Sequence, residues 1–176
     1  TQFASSAASD VYKRQLAEDQ ILEMVQEVAE SEGLVLENHG AAAVVHVAMG
    51  DLRRAITALQ VAASLSNNIT RDLVYETTAT APPEELHAFL RSCQEDGFQP
   101  SRMKMYAIID RFGLAGTDIV NQLHRSLADV QFMTEREKLA VTEAMAEADF
   151  RLVEGGGESL QLDALTARIS TILKIN

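Results

Sequence analysis

The sequence predicts an all-α protein, a small helical unit followed by a five-helix bundle. Apolar residues recur at threes and fours from Gln15 to the far end, and no apolar–polar alternation lasts long enough to make a strand. Glycines punctuate the joins between the helical stretches, as expected where a helix ends on a left-handed residue.

Residues 1–14, TQFASSAASDVYKR, are rich in Ala and Ser, lack a sustained period and hold no apolar segment of the length a secretory signal requires. They are expected to be a disordered or non-native tail outside the fold. In the first helical segment Leu16, Ile21, Leu22, Val25, Val28 and Ala29 share one face opposite Glu18, Asp19, Glu23, Glu27 and Glu30, and Gly33 closes it. Gly40 to Met49 is nearly all Ala and Val, which predicts a short buried helix. The third begins after Asp51, whose carboxylate can accept from first-turn amides, and its stripe of Leu52, Ala55, Ile56, Leu59, Ala62 and Ala63 runs to about Leu65. Ser66-Asn67-Asn68 reads as a loop, with Thr70 capping a short helix through about Thr77.

Thr78 to Pro83 holds two of the three prolines and reads as a linker. Beyond it five helices are expected, over Pro83–Gln94, Pro100–Phe112, Thr117–Val130, Thr134–Val153 and Glu158–Leu173. Thr134 with Glu137 three residues later is the reciprocal capping-box spacing. Short connections between such helices favour an antiparallel bundle. Residues such as Met103, Tyr106, Phe132 and Met133 are expected to fill its core, with an outward-facing placement as the alternative.

The 176 residues are 47% hydrophobic and 23% charged, enough chain to bury about 70% of its unfolded surface without disulfide or metal staples. Fifteen Lys and Arg stand against twenty-six Asp and Glu, a net charge of −11, which disfavours independent binding to a phosphate backbone. Both parts are acidic, with 5 basic against 11 acidic side chains before residue 78 and 10 against 15 after it. A single cysteine, Cys93, excludes an internal disulfide framework. No stretch approaches the roughly 20 apolar residues of a membrane span, so a soluble, cytoplasmic protein with no membrane partner is expected.

Motifs for phosphate loops, zinc sites and nucleophile elbows are absent. The triple glycine at 155–157 lacks the lysine of a phosphate loop and is flanked by Glu154 and Glu158, so it reads as an interhelical turn. The histidines His39, His46, His87 and His124 never stand four apart on one helical face. No metal site is expected; His46 reads as a hydrogen-bonded core residue and Cys93 as a packing side chain. Arg53 and Arg54 depart from this pattern, because they sit in the first turn of a helix, where the macrodipole disfavours cations. A guanidinium beside free helix-start amides makes a phosphate receptor. Since successive helical residues point about 100° apart, only one of the pair can address a given ligand. By position alone the reading is a solvated or carboxylate-paired arginine, with a ligand contact as the alternative.

The stretch GDLRRAITALQVAASLS, Gly50 to Ser66, resembles the sensor-2 helix of clamp-loader ATPases, in the pattern of archaeal replication factor C small subunits. Ile21 to Leu34, including AESEGL, is similar to the start of that family's lid domain. Glu147 to Ile169, EADFRLVEGGGESLQLDALTARI, is similar to the end of its collar domain, and Phe112–Ile119 and Gln122–Arg125 follow the family pattern between them. The resemblance implies a lid domain over residues 15–77 and a collar domain over 78–176. It implies that the intact protein is an AAA+ ATPase, binding ATP and Mg, in a five-membered ring that loads a sliding clamp onto primer-template DNA. Arg53 would then be the sensor-2 contact to the terminal phosphate of ATP, with Arg54 packing or pairing nearby, and no catalytic or metal residue is expected. The collar would join other clamp-loader subunits. The clamp and DNA would be met by an ATPase domain ahead of residue 15, without which this fragment should hydrolyse no ATP. The alternative is a free-standing helical adaptor or oligomerisation module with no nucleotide role.

Overall fold

The computed structural model describes residues 18–174, so the expected tail and the helix start at Gln15–Leu16 lie outside the described residues. The fold is all-α, divided into two compact units that meet in sequence between Thr78 and Ala79.

The first unit holds α1 (Glu18–Ser31), α2 (Asn38–Ala48), α3 (Leu52–Ala63) and α4 (Arg71–Thr77). Each amphipathic face turns inward, Ile21, Val25 and Ala29 from α1 meeting Val44 and Val47 of α2 and Ala55, Leu59 and Ala62 of α3. Gly33 ends α1 with φ +67°. Thr70 caps α4, its hydroxyl accepting from the Leu73 amide at 3.3 Å.

Two expectations are corrected here. Val35–Leu36 (β1) and Asn68–Ile69 (β2) form a two-residue parallel bridge, although no strand was expected and Ser66–Asn68 was read as a loop. Two residues are too few to show alternation, and the pairing exists only because α1 and α3 deliver their ends side by side. Nor is α2 buried all round, for Ala42 and His46 are exposed. The backbone approaches β2 at Gly40 instead, where an added methyl would overlap the Ile69 carbonyl oxygen. Close approach supplies the burial that side-chain size cannot.

The second unit is a bundle of five helices, α5 (Pro83–Glu95), α6 (Phe98–Phe112), α7 (Gly116–Ser126), α8 (Glu135–Val153) and α9 (Glu158–Lys174). Phe89, Leu90, Met105, Ile119, Leu123, Met145, Leu162 and Ile169 fill its core. The starts of α6 and α7 lie two residues and one residue ahead of expectation. Pro100 is accommodated in the first turn of α6, where a missing N–H costs nothing. The chain after α7 tightens into a 3-10 turn, Leu127–Asp129, before Val130. Residues 79–83 are no open linker. Thr80, Ala81 and Pro82 are buried, and the carboxamide of Gln122 holds the segment by accepting from the Ala81 amide at 2.8 Å and donating to the Ala79 carbonyl at 3.0 Å. The four bundle residues singled out divide. Met133 is buried at 6% exposure and Met103 is 70% exposed, while Tyr106 and Phe132 are half-buried.

Candidate functional site

The corner between α2 and α3 presents Arg53. Met49 and Gly50 both take left-handed backbone, φ +50° and +80°, and so reverse the chain in two residues. Asp51 follows in extended conformation as the helix cap. Its Oδ1 accepts from the Arg53 amide at 2.8 Å and the Arg54 amide at 3.4 Å. The expected receptor of guanidinium plus free amides is therefore corrected. The first-turn amides are already satisfied by a carboxylate, whose charge also offsets the cost of placing cations at a positive helix end.

What remains is the guanidinium itself. Arg53 is exposed, and among the described residues its side chain has no hydrogen-bond or ion-pair partner. Arg54 instead turns back along the corner, its Nη1 donating to the Met49 sulfur at 3.8 Å. The divergence expected from helical geometry is thus realised, one arginine packing and the other reaching outward. Arg53 stands on a firm base because Ala55, Ala58, Leu59 and Ala62 bury the opposite face of α3, and Thr57 Oγ1 donates to the Arg53 carbonyl at 2.8 Å. A guanidinium so held offers five N–H donors in a planar fork to an oxyanion brought from outside this unit.

The other candidates resolve into packing roles. His46 is exposed rather than in the core, with Nδ1 3.3 Å from the Tyr75 hydroxyl. Tyr75 itself is buried, which pushes its phenol up despite the opposing charge of Arg71. Beside His46, a groove of about 450 Å³ between α1 and α2 has Leu22, Ala41 and Val45 as its floor and Glu18 and Asp19 at its rim. Cys93 is fully buried; burial raises its thiol pKa, against smaller opposing effects from Ser101, Ser170 and Lys104. It is packing, without thiolate character. Gly155, at φ +88°, ends α8, and the Gly156 amide donates to the Arg151 carbonyl at 2.8 Å. The triple glycine is a helix-ending turn, and the neighbouring Glu158 carboxylate accepts from the Gly116 amide at 2.9 Å at the start of α7.

Sequence reasoning missed Leu139, Phe150 and Val153 on α8, exposed at 69%, 63% and 69%. Their signal was present. Val141, Ala144, Met145 and Ala148 face the core, while Leu139, Phe150 and Val153 stand off that face among charged residues, apolar surface that the helix's own bundle does not cover.

This five-helix unit defines the class, since the pattern of the replication factor C C-terminal domain matches residues 81–168. The chain belongs to the replication factor C family. Among similar proteins, the replication factor C small subunit of Methanocella arvoryzae is 41% identical over 143 residues, 81% of this chain and 44% of the relative. The small subunit of Methanococcus maripaludis is 35% identical over 157 residues, 89% of this chain and 50% of the relative. That of Natronomonas pharaonis is 36% identical over 148 residues, 84% of this chain and 45% of the relative. The chain spans about half the length of these relatives.

Proposed function

We propose that the chain is the carboxy-terminal part of a clamp-loader small subunit, its first unit a nucleotide-sensing lid and its second a collar that assembles with other clamp-loader subunits. In the intact protein an AAA+ ATPase domain would hold ATP and Mg, with Arg53 contacting the terminal phosphate. Family membership supports the clamp-loader role. The observation that carries the sensing role is the exposed Arg53 guanidinium, free of any carboxylate among the described residues and anchored on a buried helix. A terminal phosphate bound there would give the lid a preferred angle that disappears on hydrolysis. The sliding clamp and primer-template DNA belong to the ATPase domain in this reading, consistent with the acidic charge of the chain.

Replacing Arg53 with Ala in the complete subunit is expected to lower ATP-dependent clamp loading by about tenfold or more, the scale of one lost charge-assisted contact of roughly 1.5–3 kcal/mol. Far-UV circular dichroism should stay unchanged. Loading at the unaltered rate would remove Arg53 from the mechanism.

A further inference from the structure

The corner that carries Arg53 differs in charge from the rest of this acidic chain. Between Glu37 and Asp72 the only acid is Asp51, and α3 itself holds two arginines and no acid. Asp51 is exposed, and its Oδ1 alone is engaged, by the amides of Arg53 and Arg54 at 2.8 and 3.4 Å. The carboxylate forms no ion pair among the described residues, not even with Arg53 two positions on. A negative charge is thus held beside the outward guanidinium without engaging its donors.

Capping alone asks for less than this. Asn and Ser accept from first-turn amides about as well as Asp does, so the cap does not need a charge. Its charge has one use within the fold, offsetting two cations at a positive helix end. A second use follows from where Arg53 reaches. A phosphate that arrives at the guanidinium also arrives near Asp51, and the repulsion between them lowers the net attraction of the corner. The planar fork of donors that recognises the phosphate is left intact.

We infer that Asp51 acts on the Arg53 contact in two separable ways: its cap fixes the backbone from which the guanidinium reaches, and its charge weakens the hold on phosphate. The contact is then made to a terminal phosphate presented by the nucleotide site and given up once that phosphate is no longer held there. Without the carboxylate the corner would retain freed phosphate and keep the lid at the angle it has to leave. Asp51 is in this sense a positioning residue with a moderating charge. The inference rests on the nucleotide-sensing reading above and adds to it the strength of the contact.

Binding of fluorescent ATPγS and ADP, each with Mg, to the complete subunit separates the two roles. Asp51→Asn and Asp51→Ser both keep a cap and remove the charge. Each is expected to bind ATPγS about threefold more tightly, the scale of one unit charge acting through solvent. The gain should be smaller for ADP, which lacks the terminal phosphate, and should shrink at high salt as screening sets in. Asp51→Ala, which loses the cap as well, is expected to lower the thermal midpoint. A preference for ATPγS over ADP that is unchanged in both capped variants overturns the inference and leaves Asp51 a cap alone; a weakened preference overturns it by making the carboxylate an aid to phosphate binding. Arg53→Ala tells this failure from that of the sensing reading. If it lowers the ATPγS preference while the capped variants match the wild type, the inference alone fails; if it leaves the preference unchanged, the sensing reading fails with it.

Discussion

Single residues hold this molecule at points where backbone and polar groups run close to their limits. A methyl group at Gly40 would collide with the Ile69 carbonyl, so Gly40→Ala should destabilise the first unit by about 2 kcal/mol despite its better helix propensity, read as a lowered denaturant midpoint. Ser170 presents the opposite case. Its hydroxyl is buried with no hydrogen-bond partner among the described residues, and the Cys93 thiol near it is a poor one. Ser170→Ala is expected to leave stability unchanged or raise it by about 1 kcal/mol; a loss of that size would show the hydroxyl to be satisfied. Tyr75 and Tyr106, together with the buried Cys93 thiol, carry the alkaline pH dependence. Burial raises the pKa of Tyr75 and, together with Asp163, that of Tyr106, both above the ordinary 10.0. The folded state therefore keeps protons the unfolded chain releases, so this stability is complete below pH 10 and is lost as pH rises further. Thermal melts from pH 8 to 11 should show a shallower alkaline decline in Tyr75→Phe combined with Tyr106→Phe.

At the scale of the element, helix starts were the most legible features of the sequence, because a cap is a local bargain between one side chain and two amides. Asp51, Thr70 and Thr134 all cap where their spacing placed them. In the box at α8, Glu137 accepts from both the Thr134 amide and hydroxyl at 2.7 Å. Thr134→Ala should cost about 1 kcal/mol, seen as a fall in the thermal midpoint of a few degrees. Helix ends and connections were less legible. The end of α7 meets His87, whose Nε2 lies 3.2 Å from the Ser126 carbonyl, and residues 79–83 are seated by Gln122; partners 39 or more positions apart along the chain leave no periodic trace. The same applies to the candidate site. Arg53 was visible from its place in the motif, but the carboxylate on the adjacent amides removed half of the expected receptor.

At the scale of the whole molecule, the proposed function assigns sensing to the first unit and assembly to the second. Under the clamp-loader reading the chain is expected to release no phosphate from ATP by itself, since in that reading a separate ATPase domain holds the nucleotide that Arg53 contacts; a colourimetric phosphate assay measures this directly. The sequence by itself determined the all-α class, the order and caps of the helices, the acidic charge and the family, because each rests on local spacing or on residues read in a row. Only the tertiary structure decided that Arg53 points outward while Arg54 folds back, that Gly40 admits β2, and that α8 leaves an apolar line uncovered. Periodicity states that a helix has an apolar face, but which of two such faces meets the core is settled by the neighbours that pack against it.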